Sequence, residues 1–191
     1  FGTPPFITLN FTVIGVFKKF MEDQRTQIDR RMGRPDEESR AYINRGTAVF
    51  NNACRALSNY RDDRTEELLS SLLRSLRANT QSNNVATRLV GSLARATLEM
   101  GTVDAVDAAV KQTQTFTGDY QEPAARRLHE ALASFATKAG AAPPEWSDLF
   151  YVSWQNWFQE HKDKFPKKLG KLKEPPPQRP YEEPEEPMSV D

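Results

Sequence analysis

Apolar positions recur at steps of three and four along most of the chain, and polar turn-forming blocks break them at regular distances. Phe17, Phe20, Met21, Gln24 and Ile28 make one mainly apolar stripe, which predicts a helix over residues 11–32. Gly33-Arg34-Pro35 ends that helix, and Asp36 is placed to cap the next. The next segment carries Ile43, Thr47, Phe50, Cys54 and Leu57, again spaced by four and three. Its partner starts near Asp62 or Asp63 and presents a wide leucine face from Leu68 to Leu76. A second pair opens at Asn83-Asn84 with Val85, Leu89, Leu93, Ala96 and Met100, and resumes after Gly101-Thr102 with Val103, Val106, Val110 and Thr113. A third opens near Asp119, with Pro123 suited to a first helical turn and Leu128, Leu132 and Phe135 as its buried face. After Gly140, Pro143 and Pro144 restart a helix rich in aromatics. No segment sustains period-two alternation, so no sheet is expected.

These pairs repeat. The turns Asn59-Tyr60-Arg61, Glu99-Met100-Gly101 and Lys138-Ala139-Gly140 align at intervals of about 40 residues, each preceded by a similar block such as Ala53–Leu57 or Leu93–Thr97. The expected fold is all-α: about three irregular stacked helical hairpins, in which each hairpin needs its neighbours to complete a core. Three regions follow. Residues 1–35 form an N-terminal arm and helix, with 1–10 extended because Pro4-Pro5 oppose helix there. Residues 36–164 form the repeat domain. Residues 165–191 form a basic, then Pro/Glu-rich, extended tail.

Charge changes the functional picture. The chain holds 26 Lys and Arg against 26 Asp and Glu, and this zero balance weakens nucleic-acid binding by the domain as a whole. The single cysteine, Cys54, excludes an internal disulfide and reads as a core thiol. The longest apolar candidate, residues 6–17, is too short and polar to span a bilayer. The chain starts Phe1-Gly2-Thr3-Pro4-Pro5 without methionine, which fits either a removed presequence or trimming.

Little chemistry is legible. His129 and His161 lack metal-ligand partners at helical spacing, Glu66-Glu67 read as the solvated side of a leucine-faced helix, and no phosphate-cradling glycine loop appears. No catalytic, metal or cofactor site is expected. The aromatics Trp146, Phe150, Tyr151, Trp154, Trp157 and Phe158 cover more than one helix face. They read either as a closing helix that caps the stack or as partner anchors. The candidate partner-binding residues are Trp146, Trp154, Trp157 and Phe158, with Pro175, Pro176, Pro177 and Tyr181 of the tail. The lysine run at 162, 164, 167, 168, 171 and 173 reads as a solvated helix-ending cluster or as a contact for an acidic surface or RNA. The acidic proline segment behind it nearly neutralises it and favours a protein partner. That segment alone has too little apolar surface to order itself.

Hairpins with an Ala/Leu-rich first helix and a glycine-bearing turn over residues 42–160 resemble degenerate pentatricopeptide-type repeats. They depart from that family in their longer spacing and in Arg61, which stands where a turn glycine belongs. Size, hairpins, chain start and tail together resemble the eighteen-kilodalton accessory subunits of euglenozoan mitochondrial F1-ATPase. The resemblance implies a non-catalytic, matrix-facing mitochondrial protein docked on the F1 alpha subunit, peripheral to the inner membrane. Deletion of residues 174–191 is then expected to weaken assembly and spare the fold. The alternatives are an organellar RNA-binding repeat protein, using Arg45, Arg55, Arg88, Arg95, Arg126 and Arg127, and a helical subunit of another respiratory complex.

Overall fold

The computed structural model describes residues 5–31, 36–76, 85–118 and 122–169, and the regular elements among them are helices, with no strand. Seven helices follow in order among the described residues: α1 (Pro5–Arg31), α2 (Glu37–Ser58), α3 (Asp63–Ser75), α4 (Val85–Leu98), α5 (Val103–Gln112), α6 (Glu122–Lys138) and α7 (Phe150–His161). They pack as three hairpins, α2–α3, α4–α5 and α6–α7. The first helices α2, α4 and α6 lie side by side in one layer, and the second helices α3, α5 and α7 form the other. Helix α1 covers the open side of α2.

Local chemistry sets the element ends. Asp36 caps α2, its Oδ1 accepting from the Ser39 amide at 2.7 Å. Asp62 does the same for α3 at Thr65, also at 2.7 Å. Forty residues on, Thr102 caps α5 by accepting from the Ala105 amide at 3.1 Å. Gly101 and Gly140 both sit at φ +71°, the left-handed conformation that glycine adopts without a Cβ penalty.

Two helix starts differ from the sequence expectation. Helix α1 begins at Pro5, so residues 5–10 are helical and not extended. A proline in the first turn gives up only an amide that would have no intrahelical partner, and its fixed φ suits the helix. Residues 1–4 lie outside the described set. Helix α7, by contrast, starts only at Phe150, and residues 141–147 are irregular. At the place equivalent to Asp62 and Thr102, the third repeat has Ala141-Ala142, which offer no capping oxygen. Pro144 also holds Pro143 away from helical geometry.

The core runs without interruption through the stack. Met21 and Ile28 of α1, Phe50 and Leu57 of α2, Leu69 and Leu73 of α3, and Leu89 and Leu93 of α4 belong to one cluster that continues to Leu132 of α6 and Trp154 of α7. Polar bonds fasten one hairpin to the next. Arg61 Nη2 donates to the Met100 carbonyl at 2.8 Å, and Gln112 Nε2 donates to the Leu76 carbonyl at 2.7 Å. The Gln112 bond is buried and satisfies a carbonyl at the end of α3. The packed body extends past residue 164: the Phe165 ring lies 5.5 Å from Phe135, and the Val103 amide donates to the Pro166 carbonyl at 3.0 Å. Among the described residues no helix is long and apolar enough to cross a membrane.

Candidate functional site

The aromatic segment divides between the core and its edge. Trp154 is fully buried, and Trp157 and Phe158 are nearly so. Their burial assigns them to the closing-helix role. Trp157 Nε1 donates to the Ala142 carbonyl at 3.0 Å, which holds the irregular segment against α7. Trp146 lies in that segment, half-buried, and stacks on Phe150 with centroids 4.9 Å apart. The Arg126 guanidinium also lies over the indole, 4.7 Å from its centroid. Leu149 and Val152 are exposed beside this segment and were not anticipated from sequence. Pro175, Pro176, Pro177 and Tyr181 lie outside the described residues.

The titratable candidates are structural. The Cys54 thiol is buried between Phe50 and Leu57 positions of the core, and burial pushes its pKa up to about 12, against weak help from a backbone hydrogen bond. His129 Nδ1 accepts from Trp154 Nε1, and burial lowers its pKa. His161 stacks on Trp157 at 4.7 Å. Glu66, expected on a solvated face, instead accepts a 2.6 Å bond from Thr102 Oγ1 and links two hairpins. Burial raises its pKa first, and the neighbouring charges of Asp104 and Asp63 raise it further against the lowering effect of the Thr102 bond. No group of three or more metal-ligating side chains gathers among the described residues.

One concave site lies on the first helices of the hairpins. A groove of about 550 Å³ crosses α2, α4 and α6. Thr47 and Asn51 of α2 form one wall, and Arg127 and Glu130 of α6 form the other. Thr87, Arg88, Gly91, Ser92 and Arg95 of α4 lie between them. Thr47, Thr87 and Arg127 are spaced by 40 residues, so the groove follows the repeat axis. Its depth comes from small side chains on α4. A Cβ at Gly91 would touch Arg127 Cβ at 3.4 Å, so glycine lets α4 and α6 approach closely.

Three of the six arginines singled out from sequence meet here: Arg88, Arg95 and Arg127, opposed by the single carboxylate of Glu130. Arg88 Nη1 donates to Asn44 Oδ1 at 3.2 Å. The other three do not line it. Arg126 pairs with Glu122 at 2.6 Å, Arg45 folds back on the Ala41 carbonyl, and Arg55 is exposed beyond the groove. The groove also holds buried polar atoms without hydrogen-bond partners: Thr47 Oγ1, Asn51 Oδ1 and Arg88 Nε. Such atoms are costly when left alone. Thr47 and Asn51, or Thr87 and Gly91, are small residues four apart beside an apolar stripe. That spacing is the sequence signal that could have located the groove.

Part of the lysine run is placed as well. Lys167 and Lys168 lie over a second groove, bordered by Asp63, Glu67, Asp104 and Asp107 at the starts of α3 and α5. Their charges therefore face carboxylates of the same chain. No family model, curated protein or solved structure matches this chain.

Proposed function

We propose that the protein is a non-catalytic structural accessory subunit of a large mitochondrial assembly, with the alpha subunit of F1-ATP synthase as its docking partner. One observation carries the scaffold part of this reading. The concave surface is built jointly by three successive hairpins and stays open along the repeat axis. That shape suits an extended stretch of a macromolecule better than an enclosed small substrate. The bonds that fasten the first hairpin to the second help keep such a surface rigid, which lowers the ordering cost of association. The identity of the partner and the mitochondrial location rest on the resemblance in size, hairpin pattern and tail.

The test is a native pull-down of the full-length chain from its source, with mass spectrometry of the co-purifying proteins. Stoichiometric F1 alpha and beta subunits support the proposal. Stoichiometric subunits of a different respiratory complex keep the scaffold role and replace the partner.

A second reading, an organellar RNA-binding protein, draws on the convergence of Arg88, Arg95 and Arg127 in one groove. It requires salt-sensitive retention of single-stranded RNA by the full-length chain. Recovery of RNA and processing factors in the pull-down would put this reading first.

A further inference from the structure

The zero net charge of the chain is the sum of two unlike parts. Residues 174–191 hold six carboxylates against one arginine, so the preceding 173 residues carry an excess of five positive charges. Four of those carboxylates, Glu182, Glu183, Glu185 and Glu186, fall within five residues. In the folded body, Arg88, Arg95 and Arg127 concentrate positive charge in one groove, where Glu130 alone opposes them. The lysines at 167 and 168 already face carboxylates of α3 and α5, and a further groove, with Lys138 and Lys164 against Glu99, shares Arg95 with this one.

We infer that the arginine-lined groove across α2, α4 and α6 is the docking site of the chain's own acidic segment, residues 182–186, which covers this basic face in cis. The chemistry is complementary in kind as well as in sign. Guanidinium groups bind carboxylates through paired, charge-assisted hydrogen bonds. Pro184 and Pro187 restrict the backbone freedom of the undocked segment, which limits the entropy lost on docking.

Reach permits the contact. The described body ends at Leu169 beside α5, and the dozen residues from there to Glu182 span roughly 35–40 Å in an extended form. That is about the width of a domain of this size. Because the segment is tethered, it acts at a high effective concentration, and individually weak ion pairs suffice. A partner or nucleic acid that uses the groove must displace it. The inference holds whichever assembly the protein joins, so failure to recover F1 subunits does not bear on it.

The experiment compares the full-length chain with a full-length variant carrying Glu182→Gln, Glu183→Gln, Glu185→Gln and Glu186→Gln. Phenylglyoxal modifies accessible arginines, and peptide mass spectrometry reads the rate at each one. Arg88, Arg95 and Arg127 are expected to react about threefold or more faster in the variant, while Arg45, outside the groove, keeps its rate. High salt should raise the native rates toward those of the variant. Equal rates in the two chains overturn the inference, and so does an increase of the same size at Arg45. A labelled single-stranded RNA that protects the same three arginines must bind the variant more tightly than the native chain, and equal affinity for the two also overturns the inference.

Discussion

The indole Nε1 of Trp154 donates a 3.0 Å hydrogen bond to Nδ1 of His129, and this pair ties α7 to α6. The acceptor nitrogen carries no proton in that arrangement, so the imidazole is neutral and its hydrogen sits on Nε2. Burial lowers the His129 pKa, the charge of Glu130 raises it, and the charge of Arg126 lowers it. Trp146 completes the surroundings, its ring edge-on to the imidazole at 5.3 Å.

Stability should therefore fall on the acid side of neutrality. A histidine whose folded-state pKa lies below its unfolded value takes up protons more readily when unfolded. Its contribution is full above about pH 6.5 and is lost as pH falls from there through the folded-state value. Thermal unfolding of the full-length chain should show a larger drop in Tm between about pH 7.5 and pH 5.5 than the His129→Gln variant does. Glutamine offers an acceptor oxygen to Trp154 without titrating. Equal drops in the two proteins would show that His129 does not titrate with folding.

Arg61 stands where the other two repeats have Gly101 and Gly140, and its guanidinium donates to Met100 in the next turn at 2.8 Å. No non-glycine residue among those described has a positive φ, so Arg61 bears no strain for glycine to relieve. Arg61→Ala should cost about 1 kcal/mol through the lost bond. Arg61→Gly should cost roughly 0.5–1 kcal/mol more, because glycine adds freedom to the unfolded chain. Urea unfolding midpoints decide it. A glycine variant more stable than the alanine one would mean that the turn prefers the left-handed conformation after all.

Gly140 isolates the opposite case. It sits at φ +71° with open space where a Cβ would go. Gly140→Ala should destabilise by about 1–2 kcal/mol, all of it conformational, because no neighbour has to move. The same substitution at Gly101 adds a Cβ at ordinary contact distance, 3.7 Å, from Arg61 Nη2. The two losses should thus be similar, and denaturant titration of both variants checks this.

The hairpins were legible because two signals coincide in each: an apolar stripe at helical spacing, and a capping or glycine turn that ends it. Phe50, Leu57, Leu89 and Leu93 are buried as their spacing requires. Legibility failed where one signal acted alone. Pro4-Pro5 opposes helix on sequence grounds, yet Pro5 opens α1 because a first-turn proline loses no intrahelical bond. Pro143-Pro144 predicts a helix start, yet without a capping side chain α7 waits until Phe150. The burial of Trp154 and the half-burial of Trp146 could not be separated by sequence, since both follow from where that delayed start places the ring. The arginines of the groove were visible as a set of six. Which three converge depends on the rotation of α4 and α6, and Gly91 sets their approach.

Thr102 joins capping to repeat stacking through a single hydroxyl. Its Oγ1 accepts from the Ala105 amide at 3.1 Å and donates to Glu66 Oε1 at 2.6 Å, and the residue is fully buried. Asp62, 40 residues earlier, can cap α3 but has no hydroxyl to donate, so the threonine performs a task its repeat equivalent cannot. Thr102→Val keeps the volume and removes both bonds, which should cost about 2–3 kcal/mol. Thr102→Ser keeps both and should lose less than about 1 kcal/mol. The valine penalty should be larger at neutral pH than near about pH 4, because the bond from Thr102 favours the ionised form of Glu66. Urea titrations of the three proteins at the two pH values measure this directly. A valine penalty independent of pH would leave only the cap to account for the loss and would remove Glu66 from the link between the hairpins.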